Sequence, residues 1–338
     1  MLAMGTCDEG DAMLILAGDV GGTTTRLAYF EADSGNQVVL TEEHYPSREH
    51  SSLNEIIQRF IEQHQLTAER ACFGVAGPVQ NGRVKTPNLP WSIDSSELAR
   101  IVGIPGVQLI NDLAANTYGI SCLKEEDLAI LNPGKPDPTG TIAVISAGTG
   151  LGESMAFWDG TTHRPLPSEA GHADFAPRNE QETELLLFLQ AEYGRVSYER
   201  VVSGPGLVNI YRFLRNTHSL PEDPTVAADV NAGNPPAVFA AGMAQTCAYC
   251  SRALDIFISV YGAEAGNAAL RFLATGGVYL GGGIAPHILA KLQESAFMGA
   301  FAAKGRLRPL VESIPVKVIL NDRTALLGAC RAAFSLHP

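Results

Sequence analysis

One arrangement occurs twice in this chain and restricts its fold more than any other feature. An apolar strand runs into a short turn of glycine and threonine and out again into a second strand. The first copy is Met13 to Ala17, then Gly18-Asp19-Val20-Gly21-Gly22-Thr23-Thr24-Thr25-Arg26, then Leu27 to Phe30. The second is the β-branched run Thr141 to Ser146, the turn Ala147-Gly148-Thr149-Gly150, and the strand Leu151 to Trp158. Strands on both sides make each turn a hairpin and not a strand-to-helix loop. The repetition points to two domains with one core design, and a length of 338 residues agrees, being about twice that of a typical domain.

Around the first hairpin, strands and helices alternate. Ser52-x-x-Glu55 has the form of a capping box, and Leu53, Ile56, Ile57, Phe60 and Ile61 follow at helical spacing. Ala71 to Val75 reads as a strand ending at Gly77-Pro78, Asp94-x-x-Glu97 caps a helix to Val102, and Val107 to Ile110 is a strand running into Asn111-Asp112. This order predicts an α/β domain with a mixed sheet. Farther on, helices are expected over Glu180 to Tyr193, Pro205 to Leu214 and Pro236 to Tyr261, with an exposed loop at Pro221 to Pro235. Val278 to Leu280 reads as a strand entering Gly281-Gly282-Gly283, with a helix from His287 to Phe297 behind it. Val316 to Leu320 is a late strand, and Arg323 to Phe334 a helix that returns to pack on the first domain. The expected division is a small α/β domain over residues 13–122 and 313–338, a large one over 123–312, and a loose leader over 1–12.

Composition narrows the function classes. A formal charge of −12, from 36 acidic and 24 basic side chains, and the lack of any Lys/Arg run set aside nucleic acid and anionic membrane as partners. A small anionic substrate such as ATP remains admissible, because a divalent metal and backbone N–H groups neutralise it locally. The six cysteines are scattered, the pattern of buried thiols in a reducing, cytoplasmic compartment. Cys247-Ala-Tyr-Cys250 falls in an Ala-rich segment that reads as helix, with no second pair to complete a zinc site. Met13 to Ala17 is far shorter than the roughly 20 residues of a membrane span. Residues 1–12 carry Asp8, Glu9 and Asp11 and no basic flank, which argues against a signal peptide.

Several constellations carry chemistry. Gly18, Gly21, Gly22, Thr23 and Thr24 bring backbone donors and hydroxyls together without bulky side chains, a nest suited to phosphate oxygens. No Gly-Lys-Ser/Thr follows, so this is not a Walker P-loop, and the hairpin context excludes the dinucleotide fingerprint. A ligand-free glycine hairpin is the structural alternative. Asp19 among those glycines would be repelled by phosphate unless a cation stands between them, which points to Mg²⁺ reached through water. An Asx turn is the alternative there. Gly148, Thr149 and Gly150 repeat the phosphate chemistry. Gly276-Gly277 and Gly281-Gly282-Gly283 leave room for a flat ring such as adenosine at a helix start. Asn111-Asp112 stands at a strand's carboxyl end, where α/β proteins place ligands. Asp112 there either caps a helix or takes the proton of an alcohol attacking phosphorus. Glu169-Ala170-Gly171-His172 and Glu199 form a set of carboxylate and imidazole groups suited to a neutral polyol. His172 with Asp174 as a metal pair lacks a third ligand.

Taken in order, these segments resemble the bacterial-type glucokinase family of the sugar kinase, Hsp70 and actin superfamily. The resemblance rests on Gly18-Asp19-Val20-Gly21-Gly22-Thr23 with Arg26, Phe73 to Val79, Asn88-Leu-Pro-Trp91, Ile110 to Ala115, Gly148 to Gly152, Glu169 to Pro177, Glu199 to Tyr211, and Gly276-Gly277 through Ile284, over about residues 13 to 330. It implies a two-domain actin-like ATPase (ribonuclease H-like) fold, a small and a large α/β domain closing on a central cleft, in a homodimer. It further implies a cytoplasmic enzyme that moves the γ-phosphoryl group of Mg-ATP to the 6-hydroxyl of glucose. Asp112 then resembles the catalytic base, and Asn88, Asn111, Glu169, His172 and Glu199 the sugar ligands. Gly18, Asp19, Gly21, Gly22, Thr23 and Thr24 resemble the phosphate and Mg²⁺ region, Gly148, Thr149 and Gly150 the second phosphate turn, and Gly276, Gly277 and Gly282 the nucleotide side. The family often has Gly where Ala170 stands and His where Leu89 stands. The related ROK kinases follow their His with a cysteine-rich zinc motif, whereas here no Cys follows His172 until Cys247. A kinase for mannose, fructose or glucosamine is the neighbouring reading. A catalytically silent sugar-binding regulator is the more distant one, since no catalytic group is missing.

Overall fold

A computed structural model of the chain describes residues 12–33, 36–86, 88–222 and 224–335. These divide into two compact units, residues 12–123 with 323–335, and residues 124–322. Except for Ala12, the leader expected over residues 1–12, Cys7 included, lies outside the described residues.

In chain order the first stretch holds β1 (Met13–Val20), β2 (Thr24–Ala32), β3 (Gln37–Pro46), α1 (Leu53–His64), β4 (Arg70–Val75), β5 (Arg83–Lys85), β6 (Ser92–Asp94), α2 (Ser95–Val102), β7 (Gln108–Asn111) and α3 (Asp112–Gly119). The second holds β8 (Leu128–Asn132), β9 (Ile142–Ala147), β10 (Leu151–Trp158), β11 (His163–Ser168), α4 (Glu180–Tyr193), α5 (Gly204–Thr217), α6 (Pro224–Asn231), α7 (Pro235–Met243) and α8 (Ala248–Arg271). It continues with β12 (Gly277–Gly281), α9 (Ile284–His287), α10 (Leu289–Leu292), α11 (Ser295–Ala302), α12 (Arg308–Glu312) and β13 (Val316–Ile319). Then α13 (Thr324–Ser335) rejoins the first unit.

The first sheet has the order β3-β2-β1-β4-β7 and the larger second sheet β11-β10-β9-β12-β13-β8. Each contains an antiparallel meander of three strands followed by two parallel ones, so the repeated hairpin does mark a repeated core. In the second sheet β8 closes the edge antiparallel to β13. Because β13 is an interior strand there, residues 313–322, expected in the small domain, belong to the second unit.

The unbroken apolar run of β1 follows from burial on both faces. Leu16 packs with Phe60, Phe73 and Leu98 on the side of α1 and α2, while Ile15 and Ala17 pack with Leu326 and Ala329 of α13. The α1 cap forms, with modified geometry. Ser52 Oγ accepts the Glu55 N–H at 3.3 Å, but the Glu55 carboxylate reaches back to Ser51, accepting its N–H at 2.9 Å and its hydroxyl at 2.8 Å. Asp94 caps α2 by accepting the Ser96 N–H at 2.8 Å.

Three helical expectations change. The segment 236–261 is two helices, since Gln245 takes φ 55° between α7 and α8. Cys247 is therefore not inside a helix. It caps α8, its sulfur accepting the Cys250 N–H at 3.4 Å. The loop expected over 221–235 contains α6, and the helix expected over 287–297 is broken into α9, α10 and α11. The strands β3, β5, β6, β8 and β11 carried no strong sequence signal; β3 and β8 each leave large apolar side chains in water, Val38 and Leu40 on one and Ile130 on the other. The five described cysteines are free thiols, four buried and Cys122 half-buried. Among the described residues no helix is long and apolar enough to cross a membrane.

α13 crosses α3 with backbone against backbone. A Cβ on Gly328 would stand 1.7 Å from the Ala115 carbonyl oxygen, and one on Gly119 would stand 2.1 Å from that of Thr324. Gly328→Ala is expected to lower the free energy of unfolding by about 1–3 kcal/mol through overpacking, read from urea denaturation.

Candidate active site

In the first unit the strands extend farther into the glycine-rich segment than its composition indicates. Gly18 and Asp19 lie within β1, leaving Gly21, Gly22 and Thr23 as the turn. A Cβ on Gly18 would stand 2.4 Å from Phe73 Cδ1, so the small residue at this position serves core packing and does not open a phosphate nest. The register sets Asp19 opposite Arg26 on β2 and Gly74 on β4.

Ser47, which sequence reasoning missed, fastens the turn. Its hydroxyl donates to the Gly21 carbonyl at 2.8 Å and lies 2.9 Å from the buried Thr25 hydroxyl, and its N–H donates to the Thr23 carbonyl at 2.9 Å. Gly21 N–H closes the turn on the Thr24 carbonyl at 3.0 Å. Thr23 and Thr24 are exposed. Asn88 lies against this turn, its Cβ 2.8 Å from where a Gly22 side chain would begin. Leu89 is buried among the core residues of the first unit and does not face solvent.

Asn111 and Asp112 stand where β7 passes into α3. Asn111 is the helix cap, its Oδ1 accepting the Leu113 N–H at 2.9 Å while its Nδ2 donates to the Gly77 carbonyl at 3.2 Å. Asp112 is the first helical residue, with Oδ1 accepting the same Leu113 N–H at 2.9 Å. The capping role considered for Asp112 thus falls mainly to its neighbour. A Cβ on Gly74 would stand 2.7 Å from Ala115 Cβ and 4.0 Å from Asp112 Cα, so β4 holds the start of α3 tightly.

In the second unit the turn after β9 is tied twice: Gly148 N–H donates to the Gly150 carbonyl at 2.8 Å, and Gly204 N–H, at the start of α5, donates to the Gly148 carbonyl at 2.8 Å. Glu199 reaches the same turn, Oε2 accepting the Leu151 N–H at 3.0 Å. A Cβ on Gly150 would stand 2.5 Å from that oxygen. His172 Nδ1 stands 3.8 Å from Glu199 Oε1, beyond hydrogen-bond length. Gly171 permits this approach, since a Cβ there would meet the Leu151 carbonyl oxygen at 1.8 Å. Glu169 and His172 are exposed, and Glu199 is partly covered. Arg195 fixes the segment by donating to the His172 carbonyl at 2.7 Å and pairing with Asp174 at 2.6 Å, which occupies the second member of the considered metal pair. Among the described residues no three metal-ligating side chains are gathered.

A cavity of about 670 Å³ opens beside this turn. Gly148, Thr149 and Gly204 border it with Pro235, Phe239, Met243, Gly283 and Ile284. Of the glycines expected on this side, Gly276, Gly277 and Gly282 do not line it; Gly283 does. Gly276 and Gly277 stand at the opening of β12, where a Cβ on Gly276 would meet the Gly140 carbonyl oxygen at 2.4 Å. Gly282 is spent on close packing, 2.3 Å from the Ala147 carbonyl oxygen by the same measure, with φ 78°. The helix expected from Pro236 covers α7, but its place on the cavity wall and its break from α8 at Gln245 had no sequence signal.

The sequence pattern of the glucokinase family matches residues 16–335. The chain belongs to the glucokinase family. The glucokinase of Nostoc punctiforme is 44% identical over 339 residues, which cover 96% of this chain and 99% of that one. The glucokinase of Cronobacter sakazakii is 38% identical over 314 residues, 93% of this chain and 95% of that one. Among solved structures, the glucokinase from an Antarctic psychrotroph matches with a TM-score of 0.83 at 29% identity, over 97% of this chain and 100% of that one. A ROK-family glucokinase from Streptomyces griseus, solved with glucose and AMPPNP, shares the fold at TM-score 0.65 and 19% identity, over 96% of this chain and 100% of that one. The chain is thus of the bacterial, non-ROK type, with the α/β fold of the sugar kinase, actin and Hsp70 superfamily, and its activity class is hexose phosphorylation.

Ser47→Ala removes two side-chain hydrogen bonds and leaves the buried Thr25 hydroxyl without its partner. A loss of about 1–3 kcal/mol in unfolding free energy is expected, measured by denaturant titration.

Proposed function

We propose that the chain is an ATP-dependent glucokinase that transfers the γ-phosphoryl group of Mg-ATP to the 6-hydroxyl of glucose, giving glucose 6-phosphate and ADP. The observation that carries this reading is Asp112 as the first residue of α3, at the carboxyl end of β7, in a chain that follows the glucokinase pattern over residues 16–335. The relatives' common name supports glucose over mannose, fructose or glucosamine.

The residues fit a magnesium nucleotide. Phe239 and Ile284 offer the cavity apolar walls for a purine, and the polar turn at Gly148 and Thr149 borders the same space. Asp19 would supply the hard oxygen that Mg²⁺ prefers, and the turn Gly21 to Thr24 would hold the phosphates. When bound, Mg-ATP supplies the phosphoryl group and neutralises charge on its oxygens.

An alcohol is a weak nucleophile, and an ordinary carboxylate is too weak a base to ionise it beforehand. Asp112 therefore orients the 6-hydroxyl and accepts its proton late, as the sugar oxygen bonds to phosphorus. The Leu113 N–H steadies Asp112 Oδ1 for that role. Asn88, Asn111, Glu169, His172 and Glu199 hold the remaining hydroxyls, with His172 and Glu199 toward the anomeric end. Glu199 is itself oriented by the Leu151 N–H.

A coupled assay of sugar 6-phosphate formation across hexoses and donors tests the assignment; glucose with ATP should give the highest kcat/KM, and a higher value for another hexose would displace it. Asp112→Asn keeps the shape but removes the proton acceptor, so turnover should fall at least about 10²-fold with glucose affinity kept within about tenfold. Gly150→Ala displaces the Glu199 carboxylate and should raise the half-saturating glucose concentration about tenfold, the cost of one charge-assisted hydrogen bond, while melting close to the parent.

A further inference from the structure

A buried cluster of ionisable groups in the second unit takes no part in this chemistry. Glu153 on β10 and Glu264 on α8 are both 0% exposed. The donors converge on Glu264: Arg271 Nη1 is in close contact with its Oε1, and Asn267 Nδ2 donates to its Oε2 at 2.8 Å. Arg271 Nη1 stays 3.7 Å from Glu153 Oε2, outside hydrogen-bond length. Neither Glu153 oxygen has a hydrogen-bond donor among the described residues. The other polar groups packed here are committed elsewhere. Tyr261 donates its hydroxyl to the Ile145 carbonyl at 3.3 Å, Lys304 donates to Asn267 Oδ1 at 2.6 Å and the Ala263 carbonyl at 2.8 Å, and Arg178 pairs with Glu182.

Lys304 adds its charge on the Glu264 side through Asn267. Among the described residues Glu153 is thus the carboxyl left buried with no donor and no cation within hydrogen-bond length, and a buried charge so placed is resolved by protonation. Because the donors converge on Glu264, Glu264 is the anion and Glu153 the acid. Burial, then the charge of Glu264, push the Glu153 carboxyl to about 8.

The cluster reaches the sugar side through one residue. Asn267 Nδ2 also donates to the Tyr198 hydroxyl at 3.1 Å. Tyr198 is 2% exposed, packs edge-on against Phe175 with ring centroids 5.7 Å apart, and opens the short turn Tyr198–Arg200 that carries Glu199.

We propose that Glu153 is a neutral acid hydrogen-bonded to the Glu264 carboxylate, and that this pair, acting through Asn267 and Tyr198, positions Glu199. The positioning role rests on Glu199 being a sugar ligand; the protonation state does not.

Linkage gives the proton a signature of its own. Between the ordinary carboxylate range and about pH 8, the folded chain retains a proton that the unfolded chain has released, so stability falls as pH rises across that window. Glutamine at this position keeps the shape and a donor but does not titrate. In melts from pH 5 to pH 8.5, Glu153→Gln should match the parent near pH 5 and melt progressively higher than the parent up to about pH 8. A variant that melts lower than the parent throughout, or by a margin that ignores pH, would show Glu153 ionised and overturn the assignment.

The positioning role is read at constant pH. Glu153→Ala and Tyr198→Phe should each raise the half-saturating glucose concentration about three- to tenfold, with kcat held within about twofold and the ATP value unchanged. Glu153→Gln should restore the parental glucose value. Unchanged glucose dependence in the first two variants, or no rescue by glutamine, would sink the positioning role. If the parent phosphorylates no hexose, the kinase reading and the positioning role fall together, and the melts still decide the proton.

Discussion

The first unit depends on a helix crossing at which glycines meet the facing backbone carbonyls. Gly328 of α13 lies against the Ala115 carbonyl, and Gly119 of α3 against that of Thr324, so the two helices approach as closely as their backbones permit. That crossing covers the second apolar face of β1 through Leu326 and Ala329. It also fixes α3, and Gly74 on the neighbouring strand holds the same helix near its start. Asp112 therefore sits on a helix clamped by backbone contacts from two directions. The role proposed for Asp112 would call for such rigidity, since a transfer barrier is lowered by holding the reacting groups in line.

The second unit relies on a different device. Glu199 accepts a hydrogen bond from the residue that begins β10, next to a turn bordering the cavity. The carboxylate assigned to the sugar and the loop assigned to phosphate thus share one peptide group. Gly171 lets the segment carrying His172 come down onto the same strand. Behind this layer, Tyr198 and Asn267 connect Glu199 to a fully buried acid pair.

What the sequence disclosed was local. Caps at Ser52 and Asp94, the strands β1, β4, β7 and β9, and the pair Asn111-Asp112 all announce themselves through neighbours within a few positions. What stayed hidden depends on tertiary contacts. Ser47 lies more than twenty residues from the turn it fastens, and nothing in the neighbouring sequence distinguishes it from a surface serine, although it is buried. The helical reading over 236–261 covers α7, but nothing in that segment marks the break at Gln245 that separates α7 from α8. Glycine misled in a systematic way. Gly276 and Gly282 resemble ligand-contacting glycines in composition, yet each is small because a carbonyl oxygen of the same unit occupies the space.

Residues 124–322 form one continuous unit, whereas the other unit needs pieces from both sides of that stretch. On the ribosome this reverses the usual N-to-C order of domain completion. When β13 has emerged, every strand of the six-stranded sheet is available for pairing, but Ile15, Ala17 and Phe30 still await α13. For that interval the nascent polypeptide displays a greasy sheet surface, a natural target for chaperones that bind exposed apolar segments. The helix that bears Gly328 therefore completes the first unit after the six-stranded sheet is in place.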